Sequence, residues 1–595
     1  MSNKKSSTSF LVQGSILAMA SIISRIIGLV YRIPLTAIIG NKGNDYYGCA
    51  FEIYNILLII SSYSLPLAVS KLVSADMSLG RKKNVYRILK CALIFGLVSG
   101  TIAALILFFG AEFITGTIMK TPYSIFAVKV LVPTLIVVAV LGVMRGFFQG
   151  LGTMMPSAVS QILEQIANAI VSVWAAYVLY SYGTKVGAVL GNAENYAAAY
   201  GAAGGTLGTG TGAVVGLLFA AFVLLAYLSV FKRQMKRERR AKVDSYSYIF
   251  KILFITIIPV LMSTTIYNCN AILDQAIFKN IANLQGYSAN DISEWNGIYT
   301  GKYKTLINVP ISIASALAAS SVPALTAAYT NGKKEAVRSQ INTAIRFIMV
   351  VAFPCAVGMG VLASPILQLL FRDSSELAAG MLQLGAVSIV FFSLSTLSNG
   401  LLQGINRMRE PVKNALIALV LHIGLLVVLM YVFKLNIYAV VYANAFFGLL
   451  MCVLNAHSVK KYSGYRQEIR RTFVIPGISA LIMGVAVYLS YQLALYLFRV
   501  NAIATVFSIF IGVIVYAVVL LLLKGLTEEE MTSGAKPEVY SEYAHVNETC
   551  FTPAEVFISD SMMLLKNNQM HHYARTFDKA TMEAPRYQVP FDKPF

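Results

Sequence analysis

The sequence predicts an all-α polytopic membrane protein with fourteen transmembrane helices: two six-helix lobes related by pseudo-twofold symmetry, plus two C-terminal helices. Three observations carry this expectation. Of the 595 residues 57% are hydrophobic and only 13% charged, a balance rare in a water-soluble globule of this size. Apolar runs recur along the chain, each long enough to cross a hydrocarbon core of about 30 Å, which takes roughly 20 helical residues. Basic residues gather in every second connection between those runs.

Bounded by polar, Gly or Pro breaks, the first six runs lie near 10–31, 46–72, 88–110, 124–149, 156–182 and 204–230. The next six lie near 247–274, 297–328, 340–371, 380–404, 411–433 and 437–459, and the last two near 472–497 and 500–524. The first run follows Lys4 and Lys5 in the manner of a signal peptide. It is too long for one and no small-residue cleavage site follows, so it reads as a retained span.

Charge tests the count. The even connections hold Arg81, Lys82 and Lys83; Arg145; a run from Lys232 through Arg233, Lys236, Arg237, Arg239 and Arg240 to Lys242; Lys333, Lys334 and Arg338; Arg407, Arg409 and Lys413; and Lys460, Lys461, Arg466, Arg470 and Arg471. The odd ones hold about one each: Lys42, Lys120, Lys185, Lys279, Arg372, Lys434 and Arg499. Lys and Arg accumulate in short cytoplasmic loops, so both termini are expected in the cytoplasm of a bacterial cell, with the chain in the cytoplasmic membrane. The net charge of +21 then reflects topology and anionic membrane lipid rather than nucleic-acid binding.

The chain also repeats itself. GRKKNVYR (80–87) resembles GKKEAVRS (332–339), and GFFQGLGTMMP (146–156) resembles GLLQGINRMREP (400–411), at offsets of about 250 residues that join equivalent spans. Residues 1–230 are therefore expected to form an N-lobe, 231–460 a C-lobe and 461–524 the two extra spans. An even number of spans per repeat relates the lobes by an axis along the membrane normal and leaves a cavity between them. Residues 525–595, with His545, His571 and His572, read as a polar cytosolic tail, and the Asn547-Glu548-Thr549 triplet there as a chance glycosylation match.

Arg25 lies within the first apolar run and Arg32 at its edge, seven residues apart and so on one helical face. A central Arg costs roughly 2.5–3.5 kcal/mol on insertion scales, and such residues face a bundle interior or a water-filled cavity. Arg25 is expected to line a hydrated cavity or to pair with Glu52 or Glu164, and Arg32 to join it or to snorkel to the outer interface. Further intramembrane polar groups are Glu52 and Asn55, Lys129, the stripe Gln161, Glu164, Gln165 and Asn168 at helical spacing, Asp274, Lys302, Lys304 and Arg346. The stripe suits helix packing as well as substrate contact.

Other features point away from enzymes. The six cysteines are scattered and suggest neither a metal site nor a disulfide framework. GTLGTGTGAVVG (205–216) has the Gly spacing of a nucleotide loop but lacks its Lys-Ser/Thr ending, and suits close helix packing. His422, alone on an apolar helix, reads as a satisfied structural group or else a proton relay. No catalytic set converges, so no catalytic residue and no cofactor is expected.

SRIIGLVYRIPLTAIIG at the start, YNILLIISSYSLPLAVSKLVSADMSLGRKK (54–83) and RGFFQGLGTMMPSAVSQILEQ (145–165) resemble the oligosaccharidyl-lipid flippases of the MOP/MATE-like superfamily. Within it residues 10 to about 524 look most like the polysaccharide-transport and stage V sporulation protein B branch, which is related to the lipid II flippase MurJ. The resemblance implies transport of undecaprenyl-pyrophosphate-linked oligosaccharide, foremost the peptidoglycan precursor lipid II, by alternating access. It puts Ser24 and Arg25 on the family's Ser-Arg pair, with Gly28 three residues beyond. Arg32 falls one residue later than the second family Arg, NILLIISS (55–62) lacks the family's cation, and Lys302 or Lys304 approximates the one in span eight.

The expected substrate-binding set is Ser24, Arg25, Arg32, Glu52, Arg145, Gln161, Glu164, Lys302 and Lys304, with Asp274 and Glu164 as ion-coupling candidates. Na⁺, H⁺ and the membrane potential all suit as energy source. The expected partners are the lipid-linked substrate and membrane lipids, with no nucleic acid, and the chain is expected to act as a monomer. A flippase for another polysaccharide lipid and a cation-coupled multidrug antiporter are the rival readings.

Overall fold

The computed structural model describes residues 2–236, 243–330 and 332–525. The expected tail, with its three histidines, and four basic residues of the longest loop (Arg237, Arg239, Arg240 and Lys242) lie outside them. No strand occurs among the described residues.

Helix α1 runs Ser2–Leu58 and breaks at Gly40, whose φ of 67° falls in the left-handed region that glycine enters without steric cost. Counted from Met19 through α2 (Leu65–Ser78) the apolar helical stretch is 60 residues. At 1.5 Å per residue that is about 90 Å, more than a single bilayer core of about 30 Å takes, and the break at Gly40 divides it. The first helix thus extends well beyond the run read from sequence, past Pro34.

Next come α3 (Lys82–Glu112), α4 (Ile125–Gly150), α5 (Met155–Leu190) and α6 (Ala193–Lys236). Small residues let α5 and α6 touch backbone to backbone: a Cβ on Gly204 would lie 2.5 Å from the Ala175 backbone, and one on Gly212 2.5 Å from the Glu164 carbonyl. The glycine-rich segment is therefore a packing face.

Helix α7 (Tyr246–Leu284) starts at Ser245, whose hydroxyl accepts from the Tyr248 amide. A short α8 (Ala289–Ile298), a wide-turned π segment at Tyr299–Tyr303 and α9 (Lys304–Thr330) form one broken rod. The run expected at 340–371 is two helices, α10 (Lys334–Val361) and α11 (Ala363–Phe371), separated at Leu362. Helices α12 (Glu376–Gly385) and α13 (Ser388–Gly404) bend by 45° at their junction. Then follow α14 (Arg409–Tyr431), α15 (Tyr438–Ser463), α16 (Ile475–Phe498) and α17 (Asn501–Leu522), with α16 packed on α17 and α10.

Ten of these helices, or eleven if the bent pair is one, are long and apolar enough to cross a membrane, against the fourteen expected. The difference arises because α1 and α2 merge into one stretch, and because α7 and α9, which carry Asp274 and Lys304, do not qualify among the described residues. The chain is a multi-pass membrane protein.

Candidate functional site

A cavity of about 1410 Å³ lies between helices of the first half (α1, α2, α4, α5) and of the second (α7, α9, α13, α14, α15). Helix α1 supplies much of one wall through Ser24, Arg25, Gly28 and Arg32, then, beyond the Gly40 break, Gly48, Glu52 and Asn55. Arg25 and Arg32 thus share a face, as their spacing of seven requires.

The charged lining is cationic on balance: Arg25, Arg32, Lys304 and Arg409 against Glu52 and Asp274. Both acids are engaged. Lys304 Nζ donates to Glu52 Oε1 at 2.8 Å, and Asp274 Oδ2 accepts from Asn444 Nδ2 at 2.7 Å while Oδ1 faces His422. The Arg32 guanidinium stacks 4.4 Å from the Tyr47 ring centre, and its Nη1, like Ser24 Oγ, is a buried polar atom with no hydrogen-bond partner. Both residues belong to the cavity wall, which therefore holds two donors without protein acceptors.

The structure places the other expected site residues elsewhere. Arg145 and Glu164 do not line the cavity; they bind each other at 2.7 Å, with Arg145 Nε on Ser160 Oγ at 2.8 Å. Gln161 accepts from Ser21 at 3.4 Å and is likewise not part of the lining, so of the polar stripe on α5 only Gln165 reaches the cavity. Lys302 turns away to Asp373, 2.5 Å distant, leaving Lys304 as the cation of this segment that faces the cavity. Lys129 is exposed outside the lining, and Arg346 is buried against the Gly525 carbonyl. With Glu52 held by Lys304 and Glu164 by Arg145, both acids expected as alternatives for Arg25 have other partners.

Sequence reasoning missed a buried polar contact between α1 and α7 that lies outside the cavity lining. Lys279, read as a loop residue, is buried and donates to Asp45 Oδ1 and Thr121 Oγ1, both at 2.6 Å. Ser293 and Asn296 donate to the same carboxylate at 2.8 and 2.6 Å. Here α8 and the π segment pack on α1, with Gly297 against the Asn41 backbone and Gly301 against the Asn44 side chain. The one signal available was the glycine pair four apart, one helical turn on one face. Asp373, in the loop before α12, would be raised by burial, yet the hydrogen bonds and charge of Lys302 and the Ser375 amide hold its carboxyl below the usual value. Among the described residues no His/Cys/Asp/Glu group fits a metal ion.

The family model described as polysaccharide biosynthesis protein matches residues 11–329, and the MatE model matches 304–428. The chain is 27% identical over 505 residues to the lipid II flippase MurJ of Bacillus subtilis (strain 168), covering 81% of this chain and 88% of that one. It is 24% identical over 453 residues to stage V sporulation protein B of the same organism, covering 76% and 84%. Among solved structures, the lipid II flippase MurJ in an inward closed conformation superposes with a TM-score of 0.60 at 15% identity, covering 85% of this chain and 98% of that one. A MATE family multidrug transporter in an inward-facing conformation gives 0.58 at 14% identity, covering 76% and 100%. At such identities these likenesses speak for the fold.

Proposed function

We propose, since the chain belongs to the family of polysaccharide biosynthesis proteins, that it is a flippase of the cytoplasmic membrane. Its substrate is an undecaprenyl-pyrophosphate-linked oligosaccharide, foremost lipid II, moved by alternating access of two six-span lobes with fourteen spans in all and both termini cytoplasmic. The observation that carries this reading is the placement of Arg25 and Arg32, two turns apart on α1, in the wall of a cavity with excess positive charge. A pyrophosphate entering a low-dielectric chamber loses hydration, and guanidinium replaces it with bidentate charge-assisted hydrogen bonds. Lys304, tethered to Glu52, adds a cation whose strength the acid moderates, which favours release as well as capture.

With both termini cytoplasmic, the Asp45–Lys279 contact acts as a seal on the outer face, the conformation is closed outward and its cavity addresses the cytoplasm, where the substrate would load. Reorientation then requires the seal to part. Similarity to MurJ over most of both chains favours lipid II as cargo. Similarity to stage V sporulation protein B supports the broader class.

Arg25→Ala in a flippase-depleted strain tests the proposal: loss of complementation at normal expression is expected, and retained growth overturns it. The MatE match over 304–428 and the acid Asp274 in the cavity favour one second reading, a cation-coupled antiporter. Drug resistance without translocation of any lipid-linked precursor in liposomes would select it.

A further inference from the structure

The wall that α9 and α13 give the cavity differs from that of α1. Of its residues only Lys304, at the start of α9, is charged. Beyond it Asn308, Ser312 and Ser315 follow one face of α9, and Thr396, Asn399 and Gln403 one face of α13, each set at helical spacing. The two helices touch between these faces: a Cβ on Gly400 would lie 2.8 Å from that of Ala318. Phe392 extends the α13 face by a further turn. Uncharged polar groups placed along an apolar wall orient a ligand without holding an ion.

Hydrogen bonds fix what this face can offer. Ser312 and Ser315 donate to the Val309 and Ile311 carbonyls at 2.6 and 3.3 Å, so toward the cavity their oxygens accept. Asn399 is set the other way by buried side chains behind it. Ser398 Oγ gives its one hydrogen to the Ser395 carbonyl at 2.9 Å, so it can only accept from Asn455, 3.0 Å away. That contact fixes Asn455 with Nδ2 toward α13, and the same Nδ2 donates to Asn399 Oδ1 at 2.8 Å. On its other side Asn455 Oδ1 accepts from Asn414 Nδ2 at 2.9 Å. Turning Asn399 over would set one NH2 against another. The oxygen of Asn399 is therefore taken, and its NH2, which meets no acceptor among the described residues, is what it offers the cavity. Asn455 is 0% exposed and outside the lining, so it acts on a ligand only through Asn399.

We infer that the α9–α13 face is the subsite for the uncharged sugar of the headgroup, and that Asn399, with Asn455 as its positioning residue, selects an N-acylated sugar there. The inference rests on the flippase reading and narrows its cargo. A pyrophosphate is drawn to the cations of α1 and to Lys304, whereas sugar hydroxyls donate to Ser312 and Ser315. The Asn399 NH2 only donates and an N-acyl carbonyl only accepts, so the two match. A sugar whose nitrogen is a free ammonium brings three more donors and no acceptor, and leaves the Asn399 amide unpaired.

Two fluorescent lipids test it on the full-length protein: undecaprenyl-pyrophosphate carrying an N-acetylated disaccharide, and the same lipid de-N-acetylated. Flipping is followed in proteoliposomes, and binding to the purified protein by fluorescence anisotropy. The ratio between the lipids is the readout, because a charge added to the cavity acts alike on the pyrophosphate they share. Wild type should favour the N-acetylated lipid about tenfold in both assays. Asn399→Asp, whose carboxylate still accepts from Asn455 but offers the cavity acceptors only, should reverse the preference. Asn455→Asp should abolish or reverse it with Asn399 intact, since an acceptor at 455 turns the Asn399 NH2 away from the cavity. A merely structural residue would lower both rates and keep the ratio, and that result overturns the positioning role. If Asn455→Asp does not fold, Asn399→Asp still decides the subsite. Equal treatment of the two lipids by wild type, or a preference unchanged in Asn399→Asp, overturns the subsite, and flipping of both then leaves the flippase reading standing. The expected preference in binding with no flipping of either lipid overturns the flippase reading and supports the subsite. Neither binding nor flipping overturns both.

Discussion

Asp45 and Lys279, 234 positions apart in the chain, bind each other at 2.6 Å with each side chain only 1% exposed. The carboxylate takes three donors in all, so the pair is closed to water on every side the structure describes. A buried pair of this kind adds little net stability over an apolar replacement, but removal of one member strands the other charge at about 3–5 kcal/mol.

Lys279→Met is therefore expected to lower the thermal midpoint in detergent and, under the proposed transport cycle, to shift the population away from the state in which this contact is closed. Distances between spin labels across this end, measured by electron–electron double resonance, should lengthen. Replacing both partners with apolar residues should restore much of the stability but not the transport rate. Unchanged distances in Lys279→Met would show that the pair is not the seal.

Arg25→Lys keeps the charge and loses the planar fork. If bidentate contact to phosphate matters, flipping of the pyrophosphate lipid should fall about tenfold, the worth of roughly 1.4 kcal/mol. The variant should retain its expression level, since Lys is also tolerated at a hydrated wall. A rate equal to wild type would mean that charge alone suffices.

Glu52→Gln should make the cavity more cationic, because Lys304 loses the carboxylate that holds it at 2.8 Å. Tighter retention of a fluorescent pyrophosphate lipid with slower release is the expected result in a pulse–chase flipping assay. Glu52→Lys with Lys304→Glu keeps the pair and should lie nearer the wild type.

Asp373 gives a pH signature. Its folded value lies below the usual 3.8, so the pair with Lys302 contributes stability that is fully present above that value and fades as pH falls through the lowered folded one. Asp373→Asn should lower stability by about 1.5–3 kcal/mol at neutral pH, typical of hydrogen bonds to charged groups. The gap in thermal midpoint between variant and wild type should close only as pH falls below 3.8.

Gly204→Ala tests the close approach of α5 and α6. The added Cβ would meet backbone atoms of Ala175 at 2.5 Å, which no rotamer change relieves. Overpacking of this kind costs about 1–3 kcal/mol, and lower yield of folded protein in detergent chromatography should follow.

Arg25 was legible in the sequence because a charge inside an apolar run has few destinations, and a spacing of seven fixes which face Arg32 shares with it. Lys302 and Lys304 were not separable that way. Two positions apart they point about 200° from each other on a regular helix, and the π segment at Tyr299–Tyr303 alters the phase just before α9. Only the fold sends Lys304 to Glu52 and Lys302 to Asp373. The stripe on α5 shows the same limit: its period was plain, yet Gln165 alone of its members faces the cavity because Arg145 on α4 claims Glu164.

The sequence by itself determined a helical membrane chain, the rhythm of its apolar runs and the presence of arginine in the first of them, since bilayer thickness and the cost of burying charge act on each segment locally. Tertiary structure alone decided which ionisable groups meet. Asp45 with Lys279 and Asp274 with His422 are brought together across 234 and 148 residues by helix packing, and local sequence carries no record of a partner so far away.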